Sequence, residues 1–288
     1  YVVETAPAHG KALVALAADV PGLDGKGEGA FDFGFGLDLD AFAGFVNVRA
    51  TALAAAPFKC AELLSLNEDI AKANTELANP AVFMAGAALS GVNVSLDKIE
   101  LPDSAMPVVE GKLAIGSDNP QALLSMAGGY APQVAALKLV PGAAAVPLPD
   151  GMLPPGSPAA FVALSDKALA ISVGAGQEGS LAAFAAAAPG KPAPLLYYGV
   201  DSRGLKVFTE AMVKASQARL DEAKAQAAAA ADGGEGEAPD AAKIAELQQA
   251  VDLVTAMQGA YLQALERIDF ALYATERGLE LTYSIALK

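Results

Sequence analysis

The sequence predicts an α+β protein, with antiparallel β-hairpins, amphipathic helices packed on one sheet face, and a long helical hairpin in the C-terminal half. Three observations predict it. Several short segments alternate apolar residues with polar residues or glycine, the period of a strand with one buried face. Other segments repeat apolar residues at spacings of three and four, the period of a helix with one apolar side. Proline and glycine mark the boundaries between the two kinds.

The first strand is "GAFDFGFGLDLDAF", residues 29–42. Odd positions carry Phe31, Phe33, Phe35, Leu37 and Leu39, and even positions carry Asp32, Gly34, Gly36, Asp38 and Asp40. This reads as a strand that hides its apolar side chains and leaves its carboxylates in water. A calcium loop needs acids at alternate positions, then glycine, then a distant glutamate. Asp32 and Asp38 would instead lie roughly 20 Å apart along an extended strand. The next segment, "AGFVNVRATALAA" (43–55), reads as a partner strand. In residues 61–78, Leu63, Leu66, Ile70, Ala73 and Leu77 form one helical face, expected to cover the Phe-rich strand. Asn79–Pro80 ends that helix, because a residue before proline avoids the helical region.

Residues 92–101 and 108–117 alternate again, and Asn119–Pro120 then starts a helix as cap and first helical residue. Residues 141–158 contain six prolines and three glycines. They form either a connector between two lobes, 1–147 and 148–288, or an extended crossing within one. Residues 159–174 read as a hairpin about Ser165–Asp166–Lys167, followed by helical "SLAAFAAAA" and strand "PLLYYGV".

The helical hairpin spans 204–266. Its first helix carries Leu205, Phe208, Met212, Ala215 and Arg219 on one stripe. The second carries Ile244, Leu247, Val251, Val254, Gln258, Tyr261 and Leu265. Residues 231–240 between them have no apolar anchor and are expected to be a mobile loop. The chain closes with two alternating strands around Glu276–Arg277–Gly278, the last presenting Leu279, Leu281, Tyr283, Ile285 and Leu287 on one face. The segments "KLAIGSDNPQALLSMA", "ALAISVGAGQEGSLAAFA" and "LLYYGVDSRGLKVFTEA" echo one another as strand, short break and helix, too loosely for a solenoid.

Composition narrows the chemistry. Thirty-three acids against 19 bases leave a net charge of −14, a field that repels phosphate backbones, so no nucleic-acid partner is expected. An apolar fraction of 53% with 18% charged residues excludes a disordered chain. No stretch reaches the roughly 18 uninterrupted apolar residues of a transmembrane helix. The lone Cys60 excludes an internal disulfide or a multi-cysteine metal site and reads as a small buried hydrophobe. The lone His9, near the start of the sequence, reads as solvent-exposed, and nucleophile–histidine and zinc chemistry lack their residues.

"SLDK" (95–98) and "SDN" (117–119) match two motifs of serine penicillin-recognising enzymes. Ser95 lies in a strand rather than at a helix start, however, and no K-T-G follows. No P-loop is present, and the glycines of "GFGLDLDAFAG" lie within the strand, not in a strand-to-helix turn.

The expectation is therefore a non-catalytic binding or structural protein without cofactor or metal. A first residue of Tyr1 rather than Met and an Ala/Gly/Pro-rich sequence suit a bacterial protein exported to the periplasm or extracellular envelope, although a lone cysteine does not fix the compartment. Two alternatives give it a specific surface. It carries a lipid or other apolar ligand in a cavity lined by Phe31, Phe33, Phe35, Leu37 and Leu39, or it docks a protein partner through Ile244, Val251 and Val254 of the hairpin.

Overall fold

The computed structural model describes residues 1–79, 89–102, 107–149, 151–154, 156–231 and 241–288. Among these residues, ten strands form one antiparallel sheet: β1 Val2–Glu4, β2 Phe31–Gly36, β3 Gly91–Glu100, β4 Val108–Gly116, β5 Val146–Pro147, β6 Ala160–Leu164, β7 Ala168–Val173, β8 Pro194–Asp201, β9 Leu265–Thr275 and β10 Gly278–Leu287. Eight α-helices accompany them among the described residues: α1 Pro7–Val14, α2 Leu39–Ala55, α3 Leu64–Leu77, α4 Pro120–Tyr130, α5 Pro132–Ala135, α6 Glu178–Ala185, α7 Ser202–Ala231 and α8 Ala241–Ala264. The α+β class and the C-terminal helical hairpin are as the sequence predicts.

The strand order is β1-β10-β9-β8-β2-β3-β4-β7-β6-β5. Read outward from the central β8–β2 pair, its two sides match. Each side has a central strand that leads into a helical arm, then a hairpin, then an outer strand taken from the other half of the chain. Thus β2, α2–α3, β3 and β4 correspond to β8, α7–α8, β9 and β10. The outer strand β1 pairs with β10, and β7 pairs with β4. The central strands carry the same local sequence at the same place, "FGLD" (35–38) and "YGVD" (198–201). Each ends in the aspartate that caps its arm: Asp38 accepts from the Ala41 amide at 2.8 Å, and Asp201 from the Arg203 and Gly204 amides at 2.7 and 3.1 Å. Strands from 1–147 and 148–288 interleave in the one sheet. The proline-rich 141–158 segment supplies β5, whose Val146 pairs with Val162 of β6.

Three expectations are corrected. Residues 43–55 are helix α2, not a strand. Residues 46–52, "VNVRATA", do alternate at a period of two, but only over seven residues. The Asp38 cap and a run of alanines then favour the helix until Pro57 stops it. Helix α3 lies on α2 rather than beneath the Phe-rich strand, with Ile70, Ala73 and Leu77 half-buried. Cys60 is exposed, because it sits in the connector between these two helices. The loop expected at 231–240 lies outside the described residues except for Ala231, the last residue of α7.

Most of the core lies on one face of the sheet. In the centre of that face, small residues sit side by side across strands: Gly34 opposite Asn93 and Asn93 opposite Ala114, then Ala170 and Ala163. With so little side chain there, the segment after α1 lies flush on the sheet. It seats Val20 and Leu23 against Tyr197 and Ala271. A side chain at Gly34 would run into Leu23. The buried Asn93 amide donates to the Pro21 carbonyl at 3.0 Å and ties the segment down. Towards β6, Leu181 and Ala185 of α6 fill the same face over Ala114, Ala163, Ala168 and Ala170.

Candidate functional site

The alternation of β2 is as expected, but its sides are reversed. Asp32, Gly34 and Gly36 are buried, whereas Phe31 and Phe33 are half-buried and Phe35 is 39% exposed. Side chains of directly paired residues share a face. Pairing therefore puts Phe31, Phe33 and Phe35 beside Leu96, Val94 and Val92 of β3 on one side, and beside Val200, Tyr198 and Leu196 of β8 on the other. Leu113 and Ile115 of β4 extend this face one way, and Phe270 and Leu272 of β9 with Leu281 and Tyr283 of β10 extend it the other way. Apart from the buried Val200, these residues are half-buried to exposed. No charged side chain interrupts the set. Phe31 and Tyr198 meet edge to face with ring centroids 5.2 Å apart.

One end of this second face is closed. There Leu137, Leu139, Val146 and Leu148 cover Val162, Leu164 and Leu169. Further along β3, Ile99, Glu100 and Leu101 line a recess of about 740 Å³ against α7, which contributes Val207, Ala211 and Ala215 together with the charged Glu210 and Lys214. Phe31, Phe33 and Phe35 do not line it. Of the other residues expected to line a ligand cavity, Leu37 follows the end of the strand and Leu39 opens α2. Leu39 borders a polar recess of about 330 Å³ that also contains Asp19, Asp38, Asp40 and Asp118 with Lys167. Lys167 is bound to Asp118 at 2.5 Å. Among the described residues, no group of three or more His, Cys, Asp or Glu side chains could hold a metal ion.

The burial of Asp32, 3% exposed, corrects the expectation that its carboxylate meets water. The reason is Arg267, whose Nη2 donates to Asp32 Oδ2 at 2.7 Å and to the Tyr197 hydroxyl at 3.0 Å. Its Nε donates to Asp269 Oδ1 at 2.7 Å, and its Nη1 to the Gly29 carbonyl at 3.0 Å. Tyr197 donates its proton to Asp269 Oδ1 at 2.6 Å, and the Gly29 amide donates to Asp32 Oδ2 at 3.0 Å. Burial works against the Arg267 charge, but its hydrogen bonds to Asp32, Tyr197 and Asp269 outweigh that and hold its pKa above the ordinary value. Burial, then the hydrogen bond to Asp269, push the Tyr197 phenol well up. Every strong donor in this cluster has an acceptor, so it works as a clamp joining β2, β8, β9 and the 24–30 loop.

In the helical hairpin, Val251 is 6% exposed in the seam between α7 and α8, and Ile244 and Val254 are half-buried. The exposed apolar residues of the hairpin are others: Phe208 and Met212 on α7, and Leu253, Met257 and Tyr261 on α8. The structure thus does not bring Ile244, Val251 and Val254 together as an open surface. Sequence reasoning selected the strongest apolar stripe of α8, and a strong stripe is what a helix buries first. His9 is exposed in α1. No helix among the described residues is long and apolar enough to cross a membrane. Comparison of the chain with protein families, with curated proteins and with solved structures finds no match.

Proposed function

We propose that the protein is a non-catalytic binding protein that holds a lipid or another slender apolar chain against the Phe-rich face of its sheet. One observation carries this reading. The protein fills one face of its central strands with its own chain and leaves the other, uncharged across β4, β3, β2, β8, β9 and β10, half open. Contiguous exposed apolar surface of this kind marks a binding site more often than it marks nothing. Its recessed character favours a thin ligand. Phe31, Phe33, Val94, Leu96 and Leu113 are reachable but not prominent, so an acyl chain can touch them where a flat protein surface cannot. The recess under α7, continuous with β3, offers space at one end. The ligand belongs to the apolar class because the face presents no hydrogen-bonding or charged anchor except the Tyr198 and Tyr283 hydroxyls.

The test is titration with an environment-sensitive apolar dye, N-phenyl-1-naphthylamine, followed by displacement with oleate. Saturable binding is expected, with a loss of at least about tenfold in affinity, or about 1.4 kcal/mol, in Phe35→Asp and Tyr198→Asp. Phe208→Ser, on the outer side of α7, should bind as the parent does. Absence of saturation in the parent protein, or equal binding by the Phe35→Asp variant, would remove the proposal.

A further inference from the structure

The Phe-rich face continues along β3 past a bulge after Leu96 to Ile99. Ile99 pairs with Val109, which shares its side of β4 with Leu113 and Ile115. Here the face enters the recess of about 740 Å³ against α7 and meets charged side chains. The space exists because the facing row of α7 is small: Val207 is followed by Ala211, Ala215 and Ala218. Glu210 and Lys214, both exposed, stand one turn apart beside that row. Glu210 reaches Lys206 at 3.9 Å, a pair more than half exposed on both sides and weak in water. Glu100, which also lines the recess, is engaged by Lys98 at 3.0 Å.

We infer that the ligand is a single-chain amphiphile with a zwitterionic head, a phosphate and an ammonium separated by two carbons. Its chain lies along the Phe-rich face and its head at Glu210 and Lys214, an assignment that rests on the face binding an apolar chain. The charges of the recess select this head. They have both signs and lie about 5.4 Å apart along the helix axis, so the ammonium can meet Glu210 while the phosphate meets Lys214.

Other heads fit less well. An anionic head without an amine would gain Lys214 but meet Glu210 beside it, in the field of a chain of net charge −14. A purely cationic head would suit that field but sit against Lys214. An uncharged head would leave both α7 charges to water. A zwitterion brings no net charge and engages both.

Displacement of N-phenyl-1-naphthylamine by three lipids with one oleoyl chain each tests this, all below their micellar concentrations. The lipids are lysophosphatidylcholine, lysophosphatidylglycerol and monoolein. Lysophosphatidylcholine should displace the dye at about fivefold lower concentration than either of the others, the factor one exposed ion pair can supply. Glu210→Gln should bring the two lysophospholipids within about twofold of each other. Glu76→Gln, which changes net charge equally but lies on the other helical arm, should keep the parent ratio. Ala215→Leu, filling the recess from an exposed position, should weaken lysophosphatidylcholine several-fold and leave dye binding unchanged. Equal displacement by all three lipids from a parent that binds the dye would overturn this inference and leave the proposed face binding intact. An unchanged ratio in Glu210→Gln would do the same. A parent that binds neither dye nor lipid would overturn both.

Discussion

Replacing Arg267 by methionine tests the clamp on the filled face of the sheet. Methionine keeps much of the side-chain volume, so the change removes charge and hydrogen bonds while leaving little cavity. Asp32 then loses its 2.7 Å partner and keeps the Gly29 amide at 3.0 Å, at a site where only 3% of the residue reaches water. Breaking a buried pair from one side costs about 3–5 kcal/mol, because the remaining charge is uncompensated. Against a total stability of about 5–15 kcal/mol, that is a large share. With a urea slope of about 3 kcal/mol per molar, the unfolding midpoint should fall by more than about 1 M. The double variant Arg267→Met/Asp32→Asn should regain at least about half of the loss, since removing both charges of a buried pair is often close to neutral. Equilibrium unfolding followed by circular dichroism reads all four corners of the cycle. If Arg267→Met costs less than about 1 kcal/mol, or if Asp32→Asn deepens its loss, the clamp is not what buries Asp32.

The Tyr197 phenol and the two arm caps give further tests. In the folded protein, burial first and the hydrogen bond to Asp269 second raise the Tyr197 pKa above its unfolded value of about 10. Its contribution is therefore complete below that pH and is lost as the pH climbs from there towards the folded value. Tyr197→Phe should lower stability by about 1 kcal/mol at neutral pH yet flatten the decline of the urea midpoint above about pH 10; parallel declines would refute this. Asp38→Ala and Asp201→Ala should each cost about 0.5–2 kcal/mol in thermal unfolding. Their effects should add within about 0.5 kcal/mol because the arms are separate, and a neutral Asp38→Ala would break the correspondence between them.

Much of the fold was legible because strands β3, β4, β9 and β10 carry clean alternation, β6 and β7 are short apolar runs about Ser165–Asp166–Lys167, and α4 announces itself through Asn119–Pro120. Residues 43–55 misled because "VNVRATA" (46–52) alternates apolar and polar residues like a strand, whereas the Asp38 cap and the alanines around it favour a helix. The side of β2 that is buried was written in its glycines rather than its phenylalanines. Gly34 and Gly36 in mid-strand signal that another backbone or side chain approaches closely, here Leu23 and Val20. Reading burial from hydrophobicity alone reversed the faces. Arg267 and Asp32 are 235 positions apart, so no local pattern could join them. The Phe-rich set itself was found from sequence, because three aromatic residues at a period of two mark one face whichever way that face points.

Exchange of the outer strands between halves has a consequence for how the chain holds together. Strand β1 completes the sheet beside β10, and β7 completes it beside β4, so each half supplies the other's flank. A chain divided at 147/148 would leave β4 without β7, β10 without β1, and the central β2 without β8. It would also split the clamp, with Asp32 on one side and Arg267, Tyr197 and Asp269 on the other. The strongest polar interaction on the filled face thus lies across the line that composition alone would draw between two lobes. The apolar face opposite is built by the same interleaving, since Phe33 and Tyr198, paired at its centre, come from different halves. A ligand held there would touch both halves at once, and its binding should raise the stability of the whole sheet by mass action rather than that of one half alone.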